Sequence, residues 1–181
     1  QNTNKPYFYY YQYHNPLPRM YLVSYYQVLK DEESVIKTLY SDAFVPGCLI
    51  LFDEMYDELK ALEIDPKKFE RTYNPGGDIK IRHYSPNRVD VICETPKDNI
   101  FVFSDLYDPR WKVYDNGIEK RILRGNIAFR AVALKKGSHE LSFRYEIPYL
   151  KPLMILSIII WTLFVSFTLF SIIKREKTLL S

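Results

Sequence analysis

The segment LMILSIIIWTLFVSFTLFSII, Leu153 to Ile173, constrains this chain more than any other. It runs 21 residues without a charged side chain. At about 1.5 Å per residue a helix of that length reaches about 32 Å, the thickness of a bilayer's hydrocarbon core. A buried core helix this long keeps a polar face, and secretory signals lie at the N-terminus. The reading is therefore a transmembrane helix over 151–173. KREKTLLS follows at once, with Lys174, Arg175 and Lys177 opposed only by Glu176. A basic flank of this kind places the tail 174–181 in the cytoplasm. Residues 1–150 are then expected to be an extracytoplasmic domain, with the lipid bilayer as the first partner.

Charge supports that division. Residues 1–150 carry 21 Lys/Arg and 21 Asp/Glu, so the whole net charge of +3 lies in the C-terminal segment. A nucleic-acid partner is excluded, because neutralising phosphates needs a basic excess that the first 150 residues lack. The chain starts at Gln1, as a fragment or processed product would. Cys48 and Cys93 lie 45 positions apart. Outside the cytoplasm they could form one disulfide, but Cys93 alternates with Val89 and Val91, and Cys48 opens the apolar run CLILF, so both also read as core.

The period of the apolar residues gives the fold class: mainly β (α+β), a β-sandwich-like domain with a small strand–helix–strand element. PYFYYYQYHNPLPRMYLVSYYQVL reads as two extended segments broken at NPLP. Val35, Ile36, Leu39 and Tyr40 share one helical face behind the acidic cluster Asp31–Glu33. CLILF is a short buried strand, which makes Arg19 to Phe52 strand–helix–strand within an α/β portion over 15–65. Met55, Leu59 and Leu62 align on a second short helix, and DPKKFERTYNPGGD is loop. The β-sandwich portion is expected over 79–148. There SPN and Asn116-Gly117 each mark a hairpin, and IFVF is apolar on both faces, as in a central strand covered on each side. IAFRAVAL, the turn KKGS and HELSFRYEI read as a further hairpin. The last strand leads through PYLKP into the apolar helix, which keeps the sandwich close to the bilayer.

The order NPLPRMYLV, FSDLYDPRWKVYDNG, NIAFRAVAL, KKGSHELSFRYEI and a terminal apolar helix resembles the C-terminal part of the bacterial YfhO-like membrane proteins. These are polytopic proteins related to the glycosyltransferase C superfamily. The resemblance covers Asn15 to Ile173 and rests on Ser104-Asp105, Tyr107, Pro109, Trp111, Asn116-Gly117, Asn126 and Arg130. Asp108 and Arg110 depart from it, standing where an aromatic and a glycine are usual, and Ala131 replaces a glycine. The resemblance implies a membrane transferase that moves a sugar from a polyprenyl-phosphate-linked donor to a cell-surface polysaccharide or teichoic acid. It also implies partner membrane helices N-terminal to this part, with the catalytic carboxylate in an outward loop between the early ones. No catalytic residue is carried over, and this part alone is expected to be inactive.

The stretch Asn99 to Arg121 concentrates the candidate residues. Asp105, Asp108 and Asp115 could supply the carboxylate pair of glycosyl chemistry. Each also stands where aspartate serves a turn by accepting local backbone N–H groups, and that reading is preferred. Tyr107 and Trp111 bracket the corner, where aromatic faces could stack on sugar rings or at lipid headgroups. The competing reading makes Trp111 a plug between sheets. Asp105, Tyr107, Arg110 and Trp111 are the candidate ligand-binding set, a carbohydrate-facing edge. His14, His83 and His139 show no metal-ligand spacing. His83 alternates with Ile79 and Ile81 and is expected to face inward or the rim. Arg130 and Arg144 are expected to pair with carboxylates such as Glu140 or Glu146. The rival to a transferase part is a non-enzymatic tethered module that binds polysaccharide or protein. A third reading is a structural cap on a helix bundle.

Overall fold

A computed structural model describes residues 16–64, Phe69 and 77–179. Expectations that fall on His14, on the first extended segment and on most of the loop from Asp65 to Asp78 lie outside these residues. The chain divides into two compact units, one ending at Tyr145 and the other beginning at Glu146.

The first unit is built from β1 (Met20–Val23), β2 (Tyr26–Val28), α1 (Glu32–Leu39), β3 (Ile50–Phe52), α2 (Asp57–Lys60), β4 (Asp78–Ser85), β5 (Arg88–Thr95), β6 (Asn99–Leu106), β7 (Trp111–Asp115), β8 (Ile118–Lys120), β9 (Leu123–Gly125), β10 (Phe129–Leu134) and β11 (Gly137–Tyr145). A four-stranded sheet has the order β1-β6-β10-β9, and a five-stranded sheet the order β4-β5-β11-β7-β8. Between them lies a core of Met20, Leu22, Val89, Val91, Cys93, Phe101, Phe103, Val132, Leu141 and Phe143, among others. The other face of the four-stranded sheet buries Tyr21, Val23, Ile100, Val102 and Ala131 against Ile50, Phe52, Tyr56 and Leu59. The four-stranded sheet is thus the middle layer of three. This explains the two-faced apolarity of β6: Phe101 and Phe103 serve one core, Ile100 and Val102 the other.

The third layer is the strand–helix–strand element. β2 and β3 pair in parallel, so the chain must cross over between them, and α1 is the crossover. Asp31 caps α1 by accepting from Ser34 N–H at 2.9 Å, with Glu32 and Glu33 in the first turn, where negative charge suits the helix dipole. Val35 packs with Leu49 and Leu51 on the outer side of β3. The second helix is shorter than its apolar spacing suggests: Met55 precedes it and is exposed, whereas Leu59 is fully buried.

Two hairpins fall where their turn residues place them. Ser85 pairs with Arg88 across Pro86-Asn87. Asp115 pairs with Ile118 across Asn116 and Gly117, whose φ values of 50° and 84° suit that tight turn.

Two expectations are corrected. The run IAFRAVAL–KKGS–HELSFRYEI is not a hairpin, because β10 belongs to the four-stranded sheet and β11 to the five-stranded one. The turn crosses between sheets, so Leu134 and Leu141 both reach the shared core. Asp98 holds this corner, accepting from Lys136 N–H at 2.9 Å, Glu63 N–H at 2.8 Å and Lys135 Nζ at 2.8 Å. His83 is exposed rather than inward. A bulge between Ile81 and His83 shifts the register, and past it Tyr84 points to the core side, with its ring 6.5 Å from that of Phe103. Of the two readings left open for the cysteines, the core one holds: Cys48 and Cys93 are both buried and are not bridged.

The second unit holds α3 (Leu150–Leu179), 30 residues long. Its segment Pro152–Phe170 is long and apolar enough to cross a membrane, and none of it is buried.

Candidate functional site

The corner after β6 gathers residues that are far apart in sequence. Asp105 stands near the end of β6, where Arg19, just before β1, donates from Nε to its Oδ1 at 2.7 Å. The Tyr84 hydroxyl of β4 donates to Asp105 Oδ2 at 3.4 Å. Arg130 of β10 brings Nη2 to 3.7 Å from the same oxygen. The Asp105 hydrogen bond, the largest influence, raises the Arg19 pKa above its ordinary value.

Arg130 is the centre of the corner. It is 5% exposed, and its guanidinium lies 4.1 Å from the centroid of Trp111 and 4.7 Å from that of Phe103. Nε donates to the Leu106 carbonyl at 3.0 Å. Nη1 is buried and finds no hydrogen-bond partner among the described residues. Burial pushes the Arg130 pKa down, against the pull of Asp105. Cation–π contact with two rings and one adjacent carboxylate offset part of the desolvation cost of holding this charge inside.

A second set adjoins it. Asp108 accepts from Arg110 N–H at 2.8 Å and from Arg110 Nη2 at 2.6 Å, and the Tyr145 hydroxyl donates to it at 3.4 Å. Arg110, first through its side chain and then through its backbone N–H, holds the Asp108 carboxyl well below the usual carboxylate range. The Arg110 guanidinium lies 5.0 Å over the Tyr145 ring, which in turn sits 5.4 Å from Trp111. Tyr107 and Trp111 are half-buried and pack against the sandwich core.

Of the three aspartates, Asp108 does serve its own turn. Asp105 and Asp115 do not. Asp115 is buried, with both carboxylate oxygens 3.0 Å from His139 Nδ1, while His139 Nε2 lies 2.8 Å from the Lys135 carbonyl. This pair ties β7 to β11 and to the crossover between sheets. Arg130 pairs with Asp105 rather than with Glu140 or Glu146. Arg144 donates to the Ser142 hydroxyl and lies over Tyr114. The roles of Arg19, Tyr84 and Arg130 at the corner were not anticipated. One signal was available: Arg130 is the single charged residue in the apolar strand FRAVAL. Among the described residues no group of His, Cys, Asp or Glu is placed to hold a metal ion.

Asn126 closes the far side of the four-stranded sheet. Its N–H donates to the Leu51 carbonyl at 2.8 Å, and its Oδ1 accepts from Leu51 N–H at 2.9 Å. Asn126 thereby pairs with β3 as a strand residue would, with φ at 46°.

A family model described as bacterial membrane protein YfhO matches residues 56–157, more than half of the chain. The chain belongs to the YfhO family. No curated protein and no solved structure matches it. The YfhO match takes in β4 to β11 and the start of α3, so Asp105, Trp111, Asn126 and Arg130 all lie inside it.

Proposed function

We propose that this chain is the extracytoplasmic β domain and one membrane helix of a polytopic YfhO protein that transfers a sugar from a polyprenyl-phosphate-linked donor to a cell-surface polymer. The β domain places the acceptor and supports the membrane part, and the chemistry belongs to other membrane helices of the protein. The observation that carries this reading is the family match, which runs without a break from the sandwich into the apolar helix. The basic residues Lys174, Arg175 and Lys177 support the orientation. The corner's own geometry supports the accessory role. Asp105 and Asp108 are each committed to arginines, which leaves neither poised as an acid or base.

One observation favours a second reading, a tethered non-enzymatic module that binds polysaccharide or protein: the corner carboxylates hold structure and offer no chemistry. The two are separated in cells. Deleting residues 77–145 from the gene should remove sugar from the surface polymer if the protein is a transferase, and unchanged glycosylation sinks that reading. A tag after Ser181 should resist protease added to intact cells, while a tag in the Asn116-Gly117 turn should be cut. The reverse pattern overturns the orientation.

A further inference from the structure

Four residues, Glu146 to Tyr149, connect β11 to α3. Fully extended, they reach at most about 14 Å. Tyr149 is exposed just before the apolar span Pro152–Phe170, a place where tyrosine suits the headgroup level. Tyr145, the last residue of β11, is held in place: its N–H donates to the Asn87 carbonyl at 2.9 Å, and it pairs with Trp111 of β7. The tether therefore leaves the sandwich from a fixed point. The β4–β5 turn, the start of β1 and the corner after β6 share that end of the sandwich. The Asn116-Gly117 turn lies at the other end, about 17 Å away along the five residues of β7.

Two features of the tethered end are not needed by the fold. Leu106 closes β6, a strand otherwise rich in buried residues, yet it is 73% exposed. The second feature is the direction of three ion pairs. Arg19 with Asp105, Arg88 with Asp90 and Arg110 with Asp108 each leave the arginine side chain more than half exposed and the carboxylate a quarter or less. Arg144, the next-to-last residue of β11, is exposed as well. Each pair thus turns its positive pole outward. Exposed pairs add little to stability, whereas guanidinium groups match phosphate oxygens in charge and geometry. An exposed leucine ringed by arginines has the make-up of a surface that sits at a membrane interface, with apolar atoms inserted and cations at the headgroups.

We propose that this end of the sandwich docks on the phospholipid surface, with Leu106 inserted among the headgroups and Arg19, Arg88 and Arg110 on lipid phosphates. The proposal goes beyond the function proposed above and needs neither sugar transfer nor the outward placement of the domain. It rests only on α3 lodging in lipid, and the test reads that separately.

The full chain is reconstituted in nanodiscs of phosphatidylcholine and phosphatidylglycerol, with a nitroxide attached at Leu106→Cys, Ile118→Cys or Leu163→Cys. Cys48 and Cys93 are buried and stay unlabelled. Ile118, 66% exposed beside the Asn116-Gly117 turn, is the matched control at the other end of the sandwich. Leu163 lies within the span and reports whether α3 has entered the lipid. Power saturation gives the accessibility of each label to oxygen and to a water-soluble nickel chelate. The oxygen-to-nickel ratio at Leu106 should exceed that at Ile118 at least about threefold. Replacing both Arg19→Ala and Arg110→Ala should bring it down towards the Ile118 value. If that variant fails to fold, discs of phosphatidylcholine alone take its place and should lower the Leu106 ratio in the same way. Equal ratios at Leu106 and Ile118 with Leu163 embedded overturn the proposal, as does a Leu106 ratio indifferent to the arginines or, in their place, to the anionic lipid. A water-exposed Leu163 label sinks the membrane reading of α3, and the proposal with it.

Discussion

The Arg130 guanidinium lies 4.1 Å from the centre of the Trp111 ring and 4.7 Å from that of Phe103. A buried cation in contact with two rings, with one carboxylate at 3.7 Å, acts as a piece of core as much as a charge. Arg130→Ala removes both and should cost about 3 kcal/mol. Arg130→Met keeps the bulk, leaves Asp105 paired with Arg19, and should cost less than about 1 kcal/mol. Urea unfolding of the full chain in detergent separates the two. Equal losses would show that the ionic contact dominates.

Asn126 and Gly125 should be sensitive for a different reason. Asn126→Ala leaves the Leu51 N–H unsatisfied and puts alanine at a φ of 46°, at an expected cost of about 2 kcal/mol. At Gly125 an added Cβ would meet Ile50, with Cγ1 at 2.9 Å, so Gly125→Ala should cost about 1–3 kcal/mol. Thermal melts followed by circular dichroism check both. A neutral Gly125→Ala would mean that β3 can move away from β9.

Alkali should destabilise the domain. Burial pushes the Cys93 thiol from an ordinary 9.0 to about 12, and burial followed by Glu54 pushes the Tyr56 hydroxyl from 10.0 to about 12. Both groups bind their protons more tightly when folded. The stability they contribute is complete below pH about 9 and is lost as pH rises towards about 12. Unfolding midpoints measured from pH 8 upward, at roughly one-unit steps, should fall through that window. Cys93→Ser should show a shallower decline.

Both cysteines should resist alkylation in the folded protein and react once it is denatured. Mass spectrometry without any reductant is expected to show two added alkyl groups after denaturation and none before. A mass that stays unchanged in denaturant would indicate a bridge.

Much of the layered fold was legible because period and turn chemistry are local. IFVF announced a strand covered on both faces, Asn116-Gly117 announced a hairpin, and the shift in spacing at Val35 to Tyr40 announced a helix. The misreadings share one cause. Whether KKGS closes a hairpin or crosses between sheets depends on where Leu134 and Leu141 find partners, and no local pattern encodes that. The inward one of the two placements expected for His83 continued its alternation through a bulge that leaves no mark in sequence. At the corner, Asp105 and Trp111 stood out by their motif, but Arg19, 86 positions from Asp105, and Tyr84, 21 positions away, are joined to it only by strand pairing.

The strand order makes one late segment indispensable. Within the five-stranded sheet β5 is bonded to β4 and β11, and β7 to β8 and β11. Until residues 137–145 leave the ribosome, that sheet exists only as two separate hairpins, β4–β5 and β7–β8. Assembly must therefore wait for the stretch made just before the greasy anchor. A premature stop anywhere upstream of Gly137 would forfeit the whole layer rather than shorten it.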